Sequence, residues 1–396
     1  MKKILFMLIN MNVGGTEKAL LNMISEIPKE DYEITILMLE KYGGFLNSIP
    51  EHVHIKFYNG YKDIKHILNK PPRTTVLNFL KAGKVLQALN ITLIHLLSSI
   101  LKERTLLFKY LLKGYYEIDT EYDLAVAYAG PMDFISFFVI NKIKAKKKVQ
   151  WIHFDINKIG FNKRFALKVY KKFDKIFIVS KEAKSKLISL VPQLSGKSEV
   201  FFNIVSPEII RNQAKDGNGF KDEFDGLRIL TIGRLSREKG QDLAIRALAK
   251  LKKDGCKVRW YCIGEGDSRK NYQKLIMDYN LEDSFILLGA DTNPYPYLEQ
   301  CDLYVQPSRY EGYCITIIEA KQFNKPIVTT NVNGAKEQIV NGKTGLIVNI
   351  DENEIYSALK NLIDSSYLRA EISSNLAKEN YDTSLEMIKI FNVMEG

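Results

Sequence analysis

Short apolar runs alternate along this chain with longer segments of helical period. In the first half, Lys3–Leu8, Glu33–Leu39, Val53–Phe57, Tyr122–Tyr128, Val149–Ile152 and Lys175–Val179 read as strands. In the second half, Leu227–Ile232, Val258–Ile263, Phe285–Leu288, Asp302–Gln306, Pro326–Thr330 and Leu346–Val348 read the same way. Brief, continuous apolar runs suit strands covered on both faces. After Glu17, residues Leu20, Leu21, Met23, Ile24 and Ile27 carry an amphipathic helix, and 241–253 reads as another. Ser180 is placed to cap a helix that follows its strand. Ser384–Asn392 reads as a closing helix. The fold class expected is α/β.

Glycine turns follow several of the strands. Gly14 and Gly15 lie in Asn12–Thr16, between the first strand and its helix; Gly233 follows Leu227–Ile232, and Gly264 and Gly266 follow Val258–Ile263. Strand, glycine turn and helix together make an anion-binding corner. A full Gly-x-Gly-x-x-Gly is missing at these turns, so no dinucleotide fingerprint is present.

The stretch from Ser308 to Ala320 lies between two buried strands, where open α/β sheets bind ligands. Glu311 and Glu319 bracket it with seven residues between them, and Gly312 permits a tight turn. A helix starting near Tyr313 would offer free N–H groups to a phosphate, with one carboxylate on either side. A nucleoside diphosphate sugar, with hydroxyls at both ends and phosphates between, fits that spacing. Local propensity argues otherwise, because Ile315-Thr-Ile-Ile318 is β-branched and favours a strand.

Ser308-x-x-Glu311-Gly312 with Glu319-Ala320 resembles the signature of the GT-B glycosyltransferases, in particular the large retaining family four. Three further pieces agree in order: Asn12-Val-Gly-Gly-Thr-Glu17, Thr231-Ile-Gly-Arg234-Leu-Ser-Arg-Glu-Lys239-Gly240, and Cys262-Ile-Gly264-Glu-Gly-Asp267. The resemblance is concentrated in 227–350 and extends to the first 25 residues and to 149–182. It implies two facing Rossmann-like domains with a cleft between them. Residues 1–205 form the acceptor domain, 206–380 the donor domain, and about 380–396 returns to the first; about 205–226 reads as the linker region.

The resemblance also implies roles. Arg234 and Lys239 contact the donor diphosphate, a fork and a point charge at one site. Glu319 takes the ribose hydroxyls and Glu311 the donor sugar. Gly14, Gly15 and Gly233 let backbone approach the donor, while Gly264 and Leu288 lie at the nucleotide end. Gly312, Tyr313 (where the family has phenylalanine), Cys314 and Ile315 form the turn beneath the phosphates. His153, in Trp151-Ile-His153-Phe-Asp155 at a strand's carboxyl end, contacts the donor sugar or orients the acceptor. Cys314 is not read as a nucleophile. No Asp-x-Asp stands beside the strand ends, so a metal-independent, cofactor-free reaction is expected. The resemblance implies retention, and with no carboxylate placed as a covalent nucleophile a front-face mechanism is expected.

Composition narrows the partners. The chain has 396 residues, enough for two domains, with 46% apolar and 26% charged residues. Net charge of +11 suits an anionic partner. Residues 61–116 interleave ten lysines and arginines with leucines, isoleucines and aromatics, against the acids Asp63 and Glu103. Helices of that pattern lie on anionic membranes; a solvated helical insertion is the alternative. Phe161–Phe173 mixes basic and apolar residues in the same way, and Asn141–Lys148 is a basic run ahead of a strand. The opening Met1–Ile9 reads as a first strand rather than a signal peptide, since a glycine turn follows it. The four cysteines lack metal-ligand spacing and suggest buried thiols in a reducing compartment.

The expected function is transfer of a hexose or N-acetylhexosamine from a UDP-sugar, with GDP-mannose second. The acceptor would be a glycan or lipid-linked acceptor in surface polysaccharide synthesis. The expected place is the cytoplasm, at the inner membrane face. Two rivals stand beside it: a nucleotide-sugar epimerase on the same fold, and a nucleic-acid-binding protein. The second rests on charge alone, without a base-reading arrangement, so no nucleic acid partner is expected.

Overall fold

The structure is a computed structural model that describes residues 1–114, 118–128, 133–157, 160–379 and 381–395. Seven strands form the first sheet: β1 (Lys2–Leu8), β2 (Tyr32–Met38), β3 (His54–Phe57), β4 (Ile118–Ala127), β5 (Ile143–Ile152), β6 (Lys175–Ile178) and β7 (Ser198–Val200). Six form the second: β8 (Leu227–Ile232), β9 (Val258–Ile263), β10 (Phe285–Gly289), β11 (Leu303–Gln306), β12 (Ile327–Thr330) and β13 (Leu346–Val348). Their orders are β3-β2-β1-β4-β5-β6-β7 and β10-β9-β8-β11-β12-β13. Every pairing is parallel. Chain order reverses beside β1 and again beside β8, so each sheet opens a crevice at its strands' carboxyl ends.

The burial of β1 shows why the runs are continuous. Ile4, Phe6 and Leu8 enter one core with the first helix, while Leu5 and Met7 enter another on the opposite face. Helices therefore cover both faces, as a parallel sheet requires.

The two lobes touch directly. Glu337, from the second, accepts the N–H groups of Lys181 (3.0 Å) and Glu182 (2.9 Å) at the start of the first lobe's helix Lys181–Leu190. A carboxylate there satisfies free N–H groups and complements the helix dipole. Glu182 in return accepts from Gly334 N at 3.3 Å. The closing helix, Met387–Glu395, buries Met387, Ile390 and Val393 in the first lobe's core and stacks Phe391 on Tyr32 at 5.4 Å.

Three expectations change. The basic run does not precede β5 but belongs to it, because β4 extends alongside and pairs Lys144, Lys147 and Lys148 through the backbone. Residues 205–226 are not simply a linker: helix Pro207–Lys215 buries Ile210 and Ala214 with second-lobe residues. Phe161–Phe173 offers no membrane face. Phe165, Ala166, Val169, Tyr170 and Phe173 are all core residues, with Phe108 and Tyr170 meeting Phe165 edge-on.

Residues 61–111 do form four helices: Tyr61–Asn69, Pro72–Lys81, Val85–Leu101 and Thr105–Leu111. The third buries Ala88 and Ile91 and leaves Leu86, Leu89, Leu93, Leu96 and Ile100 more than half exposed. Their spacing of three and four residues makes one apolar outer face. Lys81, Lys84, Lys102 and Arg104 are exposed beside its ends. No helix among the described residues is long and apolar enough to cross a membrane.

Candidate active site

The second lobe's part of the cleft is built on β11. At its end Gln306, Ser308 and Glu311 are all buried. One Glu311 oxygen accepts from Ser308 Oγ (2.6 Å), Gln306 Nε2 (3.3 Å) and Lys239 Nζ (2.8 Å), and the other accepts from Lys239 at 2.7 Å. Gln306 Oε1 in turn accepts from Tyr304 Oη and from Thr316 Oγ1 at 3.1 Å. This network fixes the carboxylate before any ligand arrives. Burial opposes the charge on Lys239, but the Glu311 carboxylate outweighs it and holds the ammonium above its ordinary pKa. Gly240, which ends the turn carrying Lys239, has φ of +73°, and a side chain there would meet Pro307 O at 1.9 Å. Arg234 is half exposed and pairs with Glu238. The lysine is thus joined to Glu311, while the arginine is not.

The disputed segment is a helix, Ile315–Gln322, with Cys314 at its N-cap. All its residues but Thr316 are buried, so tertiary packing overrides the β-branched preference. Glu319 is buried and accepts from Tyr295 Oη at 2.7 Å. Burial pushes its carboxyl up, against the pull of Lys18 and Tyr295. The Cys314 thiol is pushed up to about 12 by burial and then by Glu311, which keeps it protonated. Tyr313 leans on Phe202 of the first lobe at 5.4 Å. Gly233 N donates to Ile263 O and Gly264 N to Gly289 O, chaining the turns after β8, β9 and β10. Leu288 is partly exposed beside them.

Across the cleft, His153 follows β5. Its ring lies 4.5 Å from Tyr128, edge-on, and stacks at 5.9 Å on Trp151. Burial drives its pKa down to about 3, and a hydrogen bond to the Tyr128 backbone offsets little of this. The ring is neutral, and Nε2 has no partner among the described residues. With Nδ1 donating to the backbone, Nε2 is a free acceptor. Gly312 presses against this segment from the second lobe: a Cβ on it would lie 1.8 Å from His153 O. Gly14 precedes helix Gly15–Ser25, and a Cβ on Gly15 would lie 3.4 Å from Ile315 Cγ2.

Four contributors escape a reading by single sites. Gln306 and Tyr304 look like strand residues, and only the fold shows that their side chains support Glu311. Glu17 and Lys18 open the first helix. Glu17 is pushed up to about 7 by burial, against its own backbone hydrogen bond and the charge of Arg234 in the other lobe. Their signal was the two charges directly after Gly14-Gly15-Thr16, with Glu17 three, four and seven residues ahead of Leu20, Leu21 and Ile24 and so on the apolar side of that helix. Among the described residues, no group of three or more His, Cys, Asp or Glu side chains is placed to hold a metal ion.

Residues 216–379 match the family model of glycosyl transferases group 1. The chain is 33% identical over 210 residues to a Campylobacter jejuni N-acetylgalactosamine-N,N'-diacetylbacillosaminyl-diphospho-undecaprenol 4-alpha-N-acetylgalactosaminyltransferase. That match covers 52% of this chain and 56% of the relative. It is 32% identical over 171 residues to a Staphylococcus aureus poly(ribitol-phosphate) alpha-N-acetylglucosaminyltransferase, covering 42% and 34%. These alignments thus span about half or less of the relatives' length. The Anabaena protein Alr3699/HepE, solved in complex with UDP and glucose, superposes with a TM-score of 0.71 at 18% identity over the whole of both chains. That likeness establishes the fold. The chain has the GT-B fold, and its residues 216–379 are similar to the group 1 glycosyl transferases.

Proposed function

We propose that the protein is a retaining glycosyltransferase that moves a hexose or N-acetylhexosamine from a UDP-sugar, with GDP-mannose second, to a glycan or lipid-linked acceptor. The observation that carries this is the Glu311–Lys239 pair, next to Gly312, which presses on the backbone of His153, a residue whose own Nε2 is without a partner among the described residues. Acceptors for sugar hydroxyls and a cation for a diphosphate meet at one place. Lys239 and Arg234 hold the leaving diphosphate, whose developing charge needs fixed cations. Glu311 and His153 Nε2 accept hydrogen bonds from donor sugar hydroxyls. In a front-face step the sugar–phosphate C–O bond breaks, and the acceptor oxygen bonds to the same face of the sugar carbon. The acceptor's proton passes to the departing phosphate oxygen. No metal takes part in this reading. The relatives' names support it: one acts on a diphospho-undecaprenol acceptor and both are named for alpha transfer. An alpha product from an alpha-linked nucleotide sugar is retention.

Thermal shift against UDP, GDP, ADP, dTDP and CMP, run in EDTA, tests the donor side. UDP should raise the melting temperature, and Glu319→Ala should abolish the response. No shift with any nucleotide, or a shift that needs metal, would overturn the reading. The epimerase rival predicts conversion of donor without acceptor; the transferase predicts none.

The exposed face of Val85–Leu101 supports peripheral contact with an anionic membrane. Each leucine that leaves water contributes ~1.5–3 kcal/mol, and each nearby basic residue about 1 kcal/mol. The full chain should float with phosphatidylglycerol vesicles and not with neutral ones. Leu86→Glu with Leu93→Glu should weaken flotation at least about tenfold without lowering the melting temperature, because both side chains are already in water. Flotation indifferent to lipid charge, or unchanged in the double variant, counts against this.

A further inference from the structure

Lys18 belongs to the first lobe but reaches into the second. Its Nζ lies 4.8 Å from the centroid of Tyr295 and 5.7 Å from that of Phe45, and its hydrogen bond is a long 3.5 Å contact to Gln213 Oε1. An ammonium has three donors. Here two ring faces and one distant amide stand where water or an anion would ordinarily be. Burial pushes its pKa down, and the carboxylate of Glu319 opposes that. The same Glu319 is fastened to Tyr295, the ring beneath the lysine.

Two contacts show how the helices lie. Gly15 faces Ile315, and Lys18 lies over Tyr295, whose hydroxyl donates to Glu319. Helices Gly15–Ser25 and Ile315–Gln322 therefore run the same way, from the phosphate end of the cleft toward the ribose end. Lys18 is about 4.5 Å along its axis from Gly15. That puts a desolvated cation between the N–H groups at Ile315 and the carboxylate at Glu319.

We propose that Lys18 is a nucleotide-binding residue supplied by the first lobe, pairing with the α-phosphate while Glu319 takes the ribose hydroxyls. This rests on the reading above that the nucleotide lies at Glu319. A neutral diol satisfies the carboxylate but gives an ammonium little. The phosphate attached to that sugar supplies the missing anion, so one ligand completes both partners and is gripped from both lobes.

The test compares a nucleoside, its monophosphate and its diphosphate on the full chain, using whichever of the uridine or guanosine series the wild type binds. Lys18→Met should weaken UMP and UDP, or GMP and GDP, by about tenfold. It should leave the nucleoside within about twofold, and Lys18→Arg should restore most of the loss. Glu319→Ala should weaken all three ligands alike. Equal weakening of nucleoside and nucleotides by Lys18→Met marks a structural role and overturns the proposal, as does unchanged nucleotide affinity. If Glu319→Ala affects none of them, or the wild type binds neither series, the nucleotide site itself is misplaced and the proposal falls with it.

Discussion

Glu311→Gln is expected to lower kcat by about 10²–10³-fold while changing the affinity for UDP by less than about threefold. The substitution keeps the shape and a carbonyl that accepts from Ser308, which now donates 2.6 Å to the carboxylate. It removes the negative charge that holds Lys239. Two consequences follow at once. The ammonium, freed from its partner, binds diphosphate at least as well, so ground-state affinity is preserved. The acceptor for the donor sugar's hydroxyl is weakened, so the sugar is no longer fixed against the phosphate it must leave. Stability should fall by about 3–5 kcal/mol, because a largely buried cation loses its counter-charge. Steady-state product formation, titration with UDP and a melting curve separate these effects. Turnover within about tenfold of wild type would remove Glu311 from the site.

The fold was legible because each parallel strand is covered on both faces, which leaves a continuous apolar run that periodicity detects. Strand ends near glycine then located the Glu311 and Gly14 corners. Legibility failed where one element answers to the other lobe. Ile315–Ile318 has strand propensity, and only burial on every side of Ile315–Gln322 makes it a helix. Lys18 lies off the apolar face of its own helix and so looks solvated; the second lobe supplies its surroundings. The leucines of Val85–Leu101 are the reverse case. Their abundance suggested a surface helix with a basic side, but not which residues turn outward, since Ala88 and Ile91 alone would not have been chosen as the buried pair.

Gly312→Ala is expected to cut turnover by about 10²-fold with little change in nucleoside affinity or melting temperature. The reason is contact between lobes rather than backbone conformation. Gly312 is not among the residues with positive φ, so alanine can adopt its conformation without strain. The added methyl would lie 1.8 Å from His153 O, 2.7 Å from His153 C and 3.0 Å from Phe154 Cα. These are backbone atoms, directly after β5, and cannot rotate aside as a side chain does. Ordinary van der Waals contact demands a retreat of about 1.5 Å, and a misplacement of about 1 Å is enough to cost that much rate. The retreat moves the His153 segment away from Gly312 and the neighbouring Glu311 while leaving each lobe's own core untouched. Small-angle scattering should show a more open average shape for the variant, and the nucleoside should still bind the second lobe within about threefold of wild type. If Gly312→Ala turned over like the wild type, the closed contact between Gly312 and His153 would not be the arrangement in which transfer occurs, and His153 would lose its place opposite Glu311. If nucleoside affinity fell along with turnover, the glycine would be shaping the second lobe's own site and not the approach of the lobes.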